Sequence, residues 1–473
     1  MAAQNLQEIL AESGDIVGLL RNSQVGPYNY PAVTAEYHNW INEQTAWRNA
    51  VVLMDQTHHM DSVFVRGKDA FRLFAETAFT SVKFPVNVAK QYIPATPAGH
   101  VIGDGIMHRE AEDELVYVGR SAAADWLLFH AETGGYDVDV TVDRRSPMNP
   151  LGQQVTRTFW RFQIQGPRAW DVIEKINGEP VEKLKFFHED WLTVAGVKAR
   201  TLRHGMAGAA GLELWGPYDS YIPVREAILE AGAEFGIVPV GARAYPPAAL
   251  ESGWVSAPLP AIYTGDELRA YREWLSPQSY EAVLSLAGSF VSGNIEDYYL
   301  SPWDLGYGSF IKFDHDFIGR EALERAAGQT HRRKVTLEWN AEDVKRILGS
   351  VVDVDGPRYK YLDLPLANYG FAGYDTVLDA DGNQVGVSLN NVGYTANARR
   401  VLSMGSIDAD VPEGAELTLV WGEPDGGTGK TNVEPHEQTT VRVVVSPAPF
   451  SSVARAEYQA GWRTGYSKLD PAR

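Results

Sequence analysis

The feature that most constrains the fold is a change of pattern near residue 330. From about Arg333 onward, short β-branched runs alternate with turns rich in Gly, Asp and Asn. The runs are KVTLEW (334–339), AELTLVW (415–421) and TTVRVVVS (439–446), and the turns include DADGN (379–383) and PDGGTG (424–429). This alternation is typical of a small all-β barrel or sandwich. The sequence therefore predicts an all-β domain at residues 331–473, after a different region at residues 1–330.

The first 330 residues mix helical and strand patterns. Helical periodicity occurs at 34–49, 67–79, 121–133, 167–176, 221–235 and 265–275, and β-rich runs occur at 115–119, 159–165 and 197–203. These segments do not alternate as strictly as a doubly wound parallel sheet requires. We therefore expect an α+β region. Residues 345–365 fit neither pattern and receive no predicted structure.

Charge and cysteine content exclude several partners and chemistries. The net charge of −19 is spread along the chain, which disfavours binding to nucleic acid or to an anionic membrane. The absence of cysteine excludes disulfides and thiolate chemistry. The first 20 residues have an amphipathic helical pattern instead of that of a signal peptide, and no apolar run is long enough to span a membrane. We therefore expect a cytoplasmic protein in which an arginine would hold any anionic substrate.

Two adjacent histidines lie in the segment MDQTHHMDSV (54–63). If this segment is a strand, His58 and His59 point to opposite faces, because side chains alternate along a strand. At most one of them can then face a cleft. The other is expected to be packed or solvated.

Two glycine-rich segments match nucleotide-binding loops only in part. GGTGKT (426–431) has Pro424 where a P-loop needs its first glycine, and it lies between two β-rich runs, so we expect a hairpin loop. GMAGAAG (205–211) lacks the first Gly-x-Gly of a dinucleotide site and runs into the strand-like LELW. Neither H-E-x-x-H nor G-x-S-x-G occurs in the chain. The sequence therefore predicts no metal site and no serine hydrolase.

Six segments, in order, resemble the aminomethyltransferase superfamily, whose fold is that of the glycine-cleavage T-protein. They are DQTHHM (55–60), GHVIGDGI (99–106), QIQGPRAW (163–170), GMAGAAGLELW (205–215), VGARAY (240–245) and DFIGREAL (316–323). Together they extend over about 270 residues. The resemblance implies that residues 1–330 form a folate- and substrate-binding region of two interleaved α/β domains. It also implies that residues 331–473 form a β-barrel.

Within that superfamily, the whole chain resembles the tetrahydrofolate-dependent aryl O-demethylases that act on vanillate, 3-O-methylgallate and syringate. The segments of this type are RNSQVGPYNYP (21–31), TLRHGMAG (201–208), FDHDFIGRE (313–321), VEPHEQ (433–438) and VVVSPAPFS (443–451). Two aspartates of the T-protein pattern are replaced, by Gly103 and Ala244, which argues against chemistry on a lipoyl arm. The resemblance implies methyl transfer from a small aromatic acid to N5 of tetrahydrofolate, without a nucleic-acid or membrane partner.

The resemblance also assigns residues to the substrate side. Tyr245 is expected to protonate the departing phenolate, because a phenol has an ordinary pKa near 10 that matches it. Arg120, at the end of the run LVYVGR, is expected to bind the carboxylate. His59 and Tyr30 are expected to hydrogen-bond the phenolic hydroxyl group. The residues expected to line the same side are Tyr28, Gln56 and His58, with His58 as the packed or solvated partner of His59.

On the folate side, the resemblance assigns an acidic residue and its neighbours. Glu213 is expected to pair with the amino and ring N–H groups of the pterin, because a carboxylate matches that donor edge. Gln163 and Trp254 are expected beside the pterin, and Arg243 near the folate tail. Asp104, which remains from an aspartate pair of the T-protein pattern, belongs to the same set.

Two other interpretations stay open. The same fold could take a methyl group from a non-aromatic donor, such as dimethylsulfoniopropionate or an N-methyl amine. A folate-binding regulatory protein without catalysis is the alternative outside the enzymes. Arg120, Tyr245 and the aromatic-rich N-terminus favour an aromatic acid, but the sequence does not separate vanillate, 3-O-methylgallate and syringate.

Overall fold

The structure is a computed structural model that describes residues 3–28, 30, 32–147, 155–181, 184–206, 209–255, 258–424, 426 and 429–455. Helices and strands are numbered along the chain. The helices are α1 (Leu6–Ser13), α2 (Ile16–Arg21), α3 (Trp40–Asn49), α4 (Ala70–Thr77), α5 (Ser121–Thr133), α6 (Ala169–Asn177), α7 (Tyr221–Gly232), α8 (Ala248–Ser252), α9 (Arg269–Trp274), α10 (Tyr280–Val283), α11 (Arg320–Ala326) and α12 (Ala341–Gly349). In this part of the chain, no helix is both long and apolar enough to cross a bilayer. The same residues contain no group of three or more histidine, aspartate or glutamate side chains that could hold a metal ion.

The strands form three sheets. They are β1 (Val51–Asp55), β2 (Asp61–Arg66), β3 (Val88–Tyr92), β4 (Gly105–Ala111), β5 (Glu114–Gly119), β6 (Asp139–Asp143), β7 (Phe159–Gln165), β8 (Glu189–Val194), β9 (Val197–Leu202), β10 (Gly211–Pro217), β11 (Ile237–Val240), β12 (Leu286–Ala287), β13 (Arg333–Trp339), β14 (Leu366–Ala367), β15 (Ala372–Leu378), β16 (Gln384–Thr395), β17 (Arg400–Ile407), β18 (Glu416–Trp421) and β19 (Thr439–Ser446). The first sheet has the order β11-β1-β7-β10-β9-β8, and the second has the order β3-β4-β5-β2-β6.

The chain forms the first two sheets alternately. β1 belongs to the first sheet, β2 to β6 form the second, and β7 to β11 complete the first. The strands at the centre of the first sheet, β7 and β10, are buried almost throughout. This path confirms the prediction of two interleaved α/β units. It also means that the connection between β1 and β2 passes from one sheet to the other.

The C-terminal sheet closes on itself. β15 pairs with both β18 and β16, so β15, β18, β19, β13, β17 and β16 form a six-stranded barrel, with β12 and β14 added at its sides. Trp339 and Trp421 are buried in its core, with ring centroids 5.3 Å apart. The predicted β-barrel is therefore confirmed.

The division near residue 330 stays a prediction. The barrel strand β13 begins at Arg333, close to the expected position. However, β12 pairs with β15, and Tyr374 of the barrel belongs to the same hydrophobic core as Leu6 and Val101. The two regions therefore share a core.

The observed elements follow the predicted patterns where local signals are strong. α5 and β7 begin and end at the predicted residues 121–133 and 159–165. The helix expected at 34–49 begins only at Trp40, because the Asn39 side chain accepts a hydrogen bond from the Ile41 backbone and caps it there. Part of the unassigned segment 345–365 belongs to α12, which Asn340 caps in the same way.

Both glycine-rich segments lie partly outside the described residues. The segment 426–431 connects β18 to β19, which pair antiparallel, as expected of a hairpin loop. Gly427 and Thr428 of this loop are not among the described residues, and neither are Ala207 and Gly208 of GMAGAAG. GMAGAAG runs into β10, as its sequence predicts.

Candidate active site

The histidine segment is not a continuous strand. Residues 56–60 form an irregular connection between β1 and β2. Arg157 donates hydrogen bonds to the carbonyl oxygens of Thr57 (2.7 Å) and Met60 (2.9 Å). An arginine side chain thus satisfies backbone groups that a neighbouring strand would bond in a sheet. The prediction that the two histidines alternate along a strand is therefore wrong.

Both histidines are buried, but they have different neighbours. His58 Nδ1 lies 2.9 Å from the Ser146 hydroxyl. The His59 ring packs edge-on against Tyr30 and Tyr245, with centroid distances of 4.7 and 5.3 Å. Its Nε2 lies 3.4 Å from the Tyr245 hydroxyl. The structure therefore places His59 against the tyrosines, and His58 is a packed residue and not a solvated one.

Three tyrosines surround this point, and we call Tyr28, Tyr30 and Tyr245 the tyrosine cluster. The Tyr30 ring centroid lies 6.2 Å from that of Tyr28 and 5.1 Å from that of Tyr245. The Tyr28 hydroxyl lies within hydrogen-bond distance of the carbonyl oxygens of His58 (3.2 Å) and Ser146 (2.9 Å). The cluster thus joins the N-terminal segment to the connection between the sheets and to the segment that follows β6.

Two buried glutamines connect Tyr245 to the first sheet. Gln56 Nε2 donates to Gln163 Oε1 and to the Tyr245 hydroxyl oxygen, at 3.1 Å in both cases. Gln163 Nε2 in turn donates to the His204 carbonyl at 3.1 Å. Because Gln56 is the donor, Tyr245 keeps its own hydrogen for another acceptor. Gln56 Oε1 is buried and has no hydrogen-bond partner among the described residues, which suits a ligand that donates.

Burial determines the protonation states around the cluster. Burial and the positive charges of Arg120 and Arg157 lower the pKa of His59 well below its ordinary value. Burial raises the pKa of Tyr30 to about 12 and that of Tyr245 well above 10. All three side chains are therefore uncharged near pH 7. This corrects the expectation that the pKa of Tyr245 lies near 10 and matches that of the departing phenolate. Because burial makes the Tyr245 phenol a weaker acid, it is better suited to donate a hydrogen bond than to give up its proton.

A buried ion pair joins β7 to β10 in the first sheet. Arg161 Nη1 contacts Glu213 Oε1, and both side chains are buried. The Arg161 guanidinium also lies 4.6 Å from the ring centroid of Trp215. In the register of β7 and β10, Glu213 is opposite Gln163, so the acid lies next to the hydrogen-bonded pair of Gln163 and Gln56. Burial alone would raise the pKa of Glu213, but Arg161 and two nearby histidines hold it below its ordinary value, so the carboxylate is charged.

Asp104 and Arg120 both lie beside Trp254. Asp104 Oδ2 accepts hydrogen bonds from Trp254 Nε1 (2.7 Å) and from the Tyr307 hydroxyl (2.5 Å). Asp104 Oδ1 is buried without a partner among the described residues, and burial raises the pKa of this carboxyl group. The Arg120 guanidinium lies 5.8 Å from the Trp254 ring centroid and makes no hydrogen bond or ion pair with a described side chain. It is therefore available to an anion.

Comparison with known proteins identifies the family. The model of the GCVT N-terminal domain matches residues 20–258 of the chain. A syringate O-demethylase from Sphingobium sp. (strain NBRC 103272 / SYK-6) is 45% identical over 464 residues, which cover 98% of this chain and 99% of that relative. The chain belongs to the aminomethyltransferase (GCVT) family. This result confirms the resemblance that the six motifs indicate.

Other relatives of this GCVT protein carry out different reactions. A sesamin methylene transferase from Sinomonas sp. (strain No.22) is 30% identical, over 82% of each chain. An aminomethyltransferase from Caldanaerobacter subterraneus subsp. tengcongensis is 28% identical, over 76% of this chain and 86% of that one. The solved structure of glycine cleavage system aminomethyltransferase T from Bartonella henselae has a TM-score of 0.57 at 17% identity, covering 94% of this chain and 96% of that chain. That likeness confirms the predicted fold.

The structure brings most of the predicted site residues of this GCVT chain together, but not Arg243. Arg243 is exposed, with its Nη1 2.5 Å from Glu36 Oε1 and its Nη2 2.9 Å from the Leu364 carbonyl. It makes no contact with the tyrosine cluster or with Glu213 in the described part of the chain. Its assignment to the folate tail stays a prediction.

Sequence reasoning missed Arg161, although a signal for it was present. In β7, FWRFQIQ, alternation places Arg161 on the same face as Gln163 and opposite the buried Trp160 and Phe162. The residues that hold the histidine connection, Arg157 and Ser146, gave no such signal, because they lie in irregular segments.

The two histidines should respond differently to the same substitution in this GCVT site. His59→Gln should lower turnover at least about tenfold, because it removes the neutral imidazole that faces Tyr30 and Tyr245. His58→Gln should lower it less than about threefold, since an amide can keep a hydrogen bond to Ser146. Steady-state kinetics of both variants, with thermal melting as a check of folding, would measure this. The reverse order would show that His58 is the residue facing the substrate.

Proposed function

We propose that the protein removes the methyl group of a methoxylated hydroxybenzoate, such as syringate, vanillate or 3-O-methylgallate, and transfers it to N5 of tetrahydrofolate. The observation that carries this proposal is the hydrogen-bonded path from Tyr245 through Gln56 to Gln163. At one end lies the tyrosine cluster, within electrostatic range of Arg120, which has no ion-pair partner among the described residues. At the other end, Gln163 lies opposite the buried, charged Glu213 in the sheet register. Its relative from Sphingobium is a syringate O-demethylase, which supports this choice among methyl donors.

The tyrosine end of this path fits a hydroxylated aromatic acid. Neutral His59 and the hydroxyl group of Tyr30 can hydrogen-bond the phenolic group of such a ring. The rings of Tyr30, His59 and Tyr245 pack edge-on, and aromatic side chains of this kind suit contact with a flat ligand. Arg120 supplies the positive charge that a carboxylate needs in a protein with a net charge of −19.

The other end of the path fits a reduced pterin. The pterin presents a row of N–H donors, and Arg161 contacts only Oε1 of Glu213 in the structure. Two buried acceptors have no partner among the described residues: Gln56 Oε1, beside Gln163, and Asp104 Oδ1, beside Trp254. A donor-rich ligand would satisfy them, whereas their burial without one is costly. Gln163 and Trp254 would then be its neighbours.

The chain's own residues can assist the departure of the phenolate oxygen. When bound, tetrahydrofolate supplies N5 as the nucleophile. N5 loses one proton as it gains the methyl group, and the phenolate oxygen of the product gains one proton, so the reaction is balanced. Tyr245 can donate its hydrogen to the phenolate oxygen in place of His59 Nε2, because Gln56 donates to the Tyr245 oxygen and leaves that hydrogen for an acceptor. Positioning of both rings in a site without bulk water supplies further rate acceleration. Cytoplasmic location, and the lack of a nucleic-acid or membrane partner, stay predictions from the sequence.

Incubation with tetrahydrofolate and each acid in turn tests the proposal. Syringate, vanillate and 3-O-methylgallate are supplied separately, and the catechol product and 5-methyltetrahydrofolate are quantified together. We expect both products in equal amounts from at least one acid. Normal folate binding with no turnover of any acid would contradict the proposal. Turnover of a sulfonium or N-methyl amine alone would assign the protein to a different methyl donor.

A further inference from the structure

A second arginine lies beside the tyrosine cluster. The Arg145 guanidinium carbon lies 4.4 Å from the ring centroid of Tyr28, 5.3 Å from that of Tyr280 and 5.9 Å from that of Phe371. These three rings come from the N-terminal segment, from α10 and from the residue that precedes β15. Arg145 is half-buried, so the rings shield its charge from part of the solvent. No local pattern along the chain predicts this arrangement.

The acids near Arg145 are already engaged. Its neighbour Arg144 contacts Asp61 Oδ2 (3.3 Å) and Asp125 Oδ1 (2.5 Å). The other oxygen of Asp61 accepts from the Arg145 backbone N–H at 2.6 Å. Among the described residues, the Arg145 guanidinium itself has no hydrogen-bond or ion-pair partner. A partly desolvated cation without a counter-charge is unfavourable, and an anionic ligand would relieve this.

Arg145 is held close to the histidine connection. The backbone N–H of the next residue, Ser146, donates to the His58 carbonyl at 2.8 Å. The Tyr28 hydroxyl bonds the carbonyl oxygens of both His58 and Ser146. The hydrogen bonds that Ser146 and Tyr28 make therefore fix the position of Arg145 relative to the tyrosine cluster.

Arg145 and Arg120 act on the same two tyrosines. Burial raises the pKa of Tyr28 and of Tyr280, and the positive charges of Arg145 and Arg120 both oppose that rise. The two guanidinium groups thus lie within electrostatic range of one region. Neither has an acidic partner among the described residues.

The geometry points to Arg145 and Arg120 as the two halves of one carboxylate subsite for the aromatic acid, an inference that rests on the proposed function. With the hydroxyl and methoxy groups of the ring at His59, Tyr30 and Tyr245, the carboxylate lies at the opposite end of a rigid ligand. Two guanidinium groups can each donate to one carboxylate, and the rings around Arg145 hold its plane in place. Such a subsite selects acids over neutral phenols of the same size.

Single and double arginine variants test this subsite. Arg145→Ala, Arg120→Ala and the double variant are assayed with syringate and with syringaldehyde, which lacks the carboxylate. Each single variant should raise the KM for the acid about tenfold or more, and leave the KM for the aldehyde nearly unchanged. The double variant should raise the KM for the acid by less than the product of the two single increases, because both arginines bind the same carboxylate. Arg145→Lys should retain part of the affinity, since it keeps the charge but not the planar stacking.

Matched controls separate this subsite from general effects of charge and from the folate tail. Arg66→Ala removes the same charge at an exposed pair with Glu114, and should change neither KM. An unchanged KM for syringate in Arg145→Ala would overturn the inference. A raised KM for tetrahydrofolate polyglutamate with an unchanged KM for the acid would also overturn it, and would assign Arg145 to the folate tail.

A binding measurement keeps the inference testable if no acid is demethylated. Tryptophan fluorescence would compare the binding of 3,4-dihydroxybenzoate and catechol by the wild-type protein and Arg145→Ala. Preference for the acid that is lost in the variant would support the subsite even though the proposed reaction had failed. Equal preference in both proteins would overturn it. Thermal melting would show whether the variant is folded, which we expect because the Arg145 side chain makes no hydrogen bond with the described residues.

Discussion

Replacing Tyr245 with phenylalanine should lower kcat for the methoxylated acid at least about tenfold and leave its KM nearly unchanged. The phenolate oxygen becomes negative only as the methyl group departs, so a donor that meets it stabilises the transition state and not the bound substrate. The neighbouring Gln56 cannot donate to the phenolate oxygen instead, because both of its amide hydrogens are already donated to Gln163 and Tyr245. Initial rates at saturating tetrahydrofolate would measure the effect.

A buried tyrosine outside the site provides the control for Tyr245. Tyr92 is fully buried and donates a hydrogen bond of 3.0 Å to Thr77. Tyr92→Phe removes the same hydroxyl group from a comparable environment and should affect stability more than kcat. Wild-type kcat in Tyr245→Phe would remove Tyr245 from the chemical step. An equal loss in both variants would indicate a general loss of folding.

Glu213→Gln should raise the KM for tetrahydrofolate at least about thirtyfold. The substitution removes the charge that the donor edge of the pterin needs and leaves Arg161 buried without a counter-charge. Truncating one partner of a buried pair costs much more than the pair contributes, so stability should fall as well. Kinetics with varied tetrahydrofolate, together with thermal melting, would measure both effects.

Two further variants separate folate binding from stability. The double variant Arg161→Met with Glu213→Leu replaces the buried pair by apolar side chains and should recover stability without recovering the affinity for tetrahydrofolate. Glu112→Gln removes an exposed carboxylate that pairs with Arg109, and should change neither quantity appreciably. An unchanged KM for tetrahydrofolate in Glu213→Gln would mean that another group holds the pterin.

Local sequence was sufficient where neighbouring residues determine the structure. The period of apolar residues was enough to place α5 and β7 at the predicted positions, and short β-branched runs were enough to place three of the barrel strands, β13, β18 and β19. Strand alternation also relates Arg161 to Gln163 along β7, although only the register of β7 and β10 shows that Glu213 lies beside them. Where side chains replace the backbone partners of a strand, as Arg157 does at residues 56–60, the same reasoning failed.

The sequence by itself determined the α+β class, the β-barrel at the C-terminus and the family, because these depend on periodicity and on motifs that can be read along the chain. The family resemblance already assigned His59 to the substrate side. Only the tertiary structure decided that His58 is packed and not solvated, that the His59 ring contacts Tyr30 and Tyr245, and that Arg145 lies beside Tyr28. Those positions depend on contacts between distant segments, such as His58 with Ser146, 88 positions apart, and Tyr28 with Ser146, 118 positions apart. No local pattern encodes such contacts, since they arise only when the two sheets and the N-terminal segment pack together.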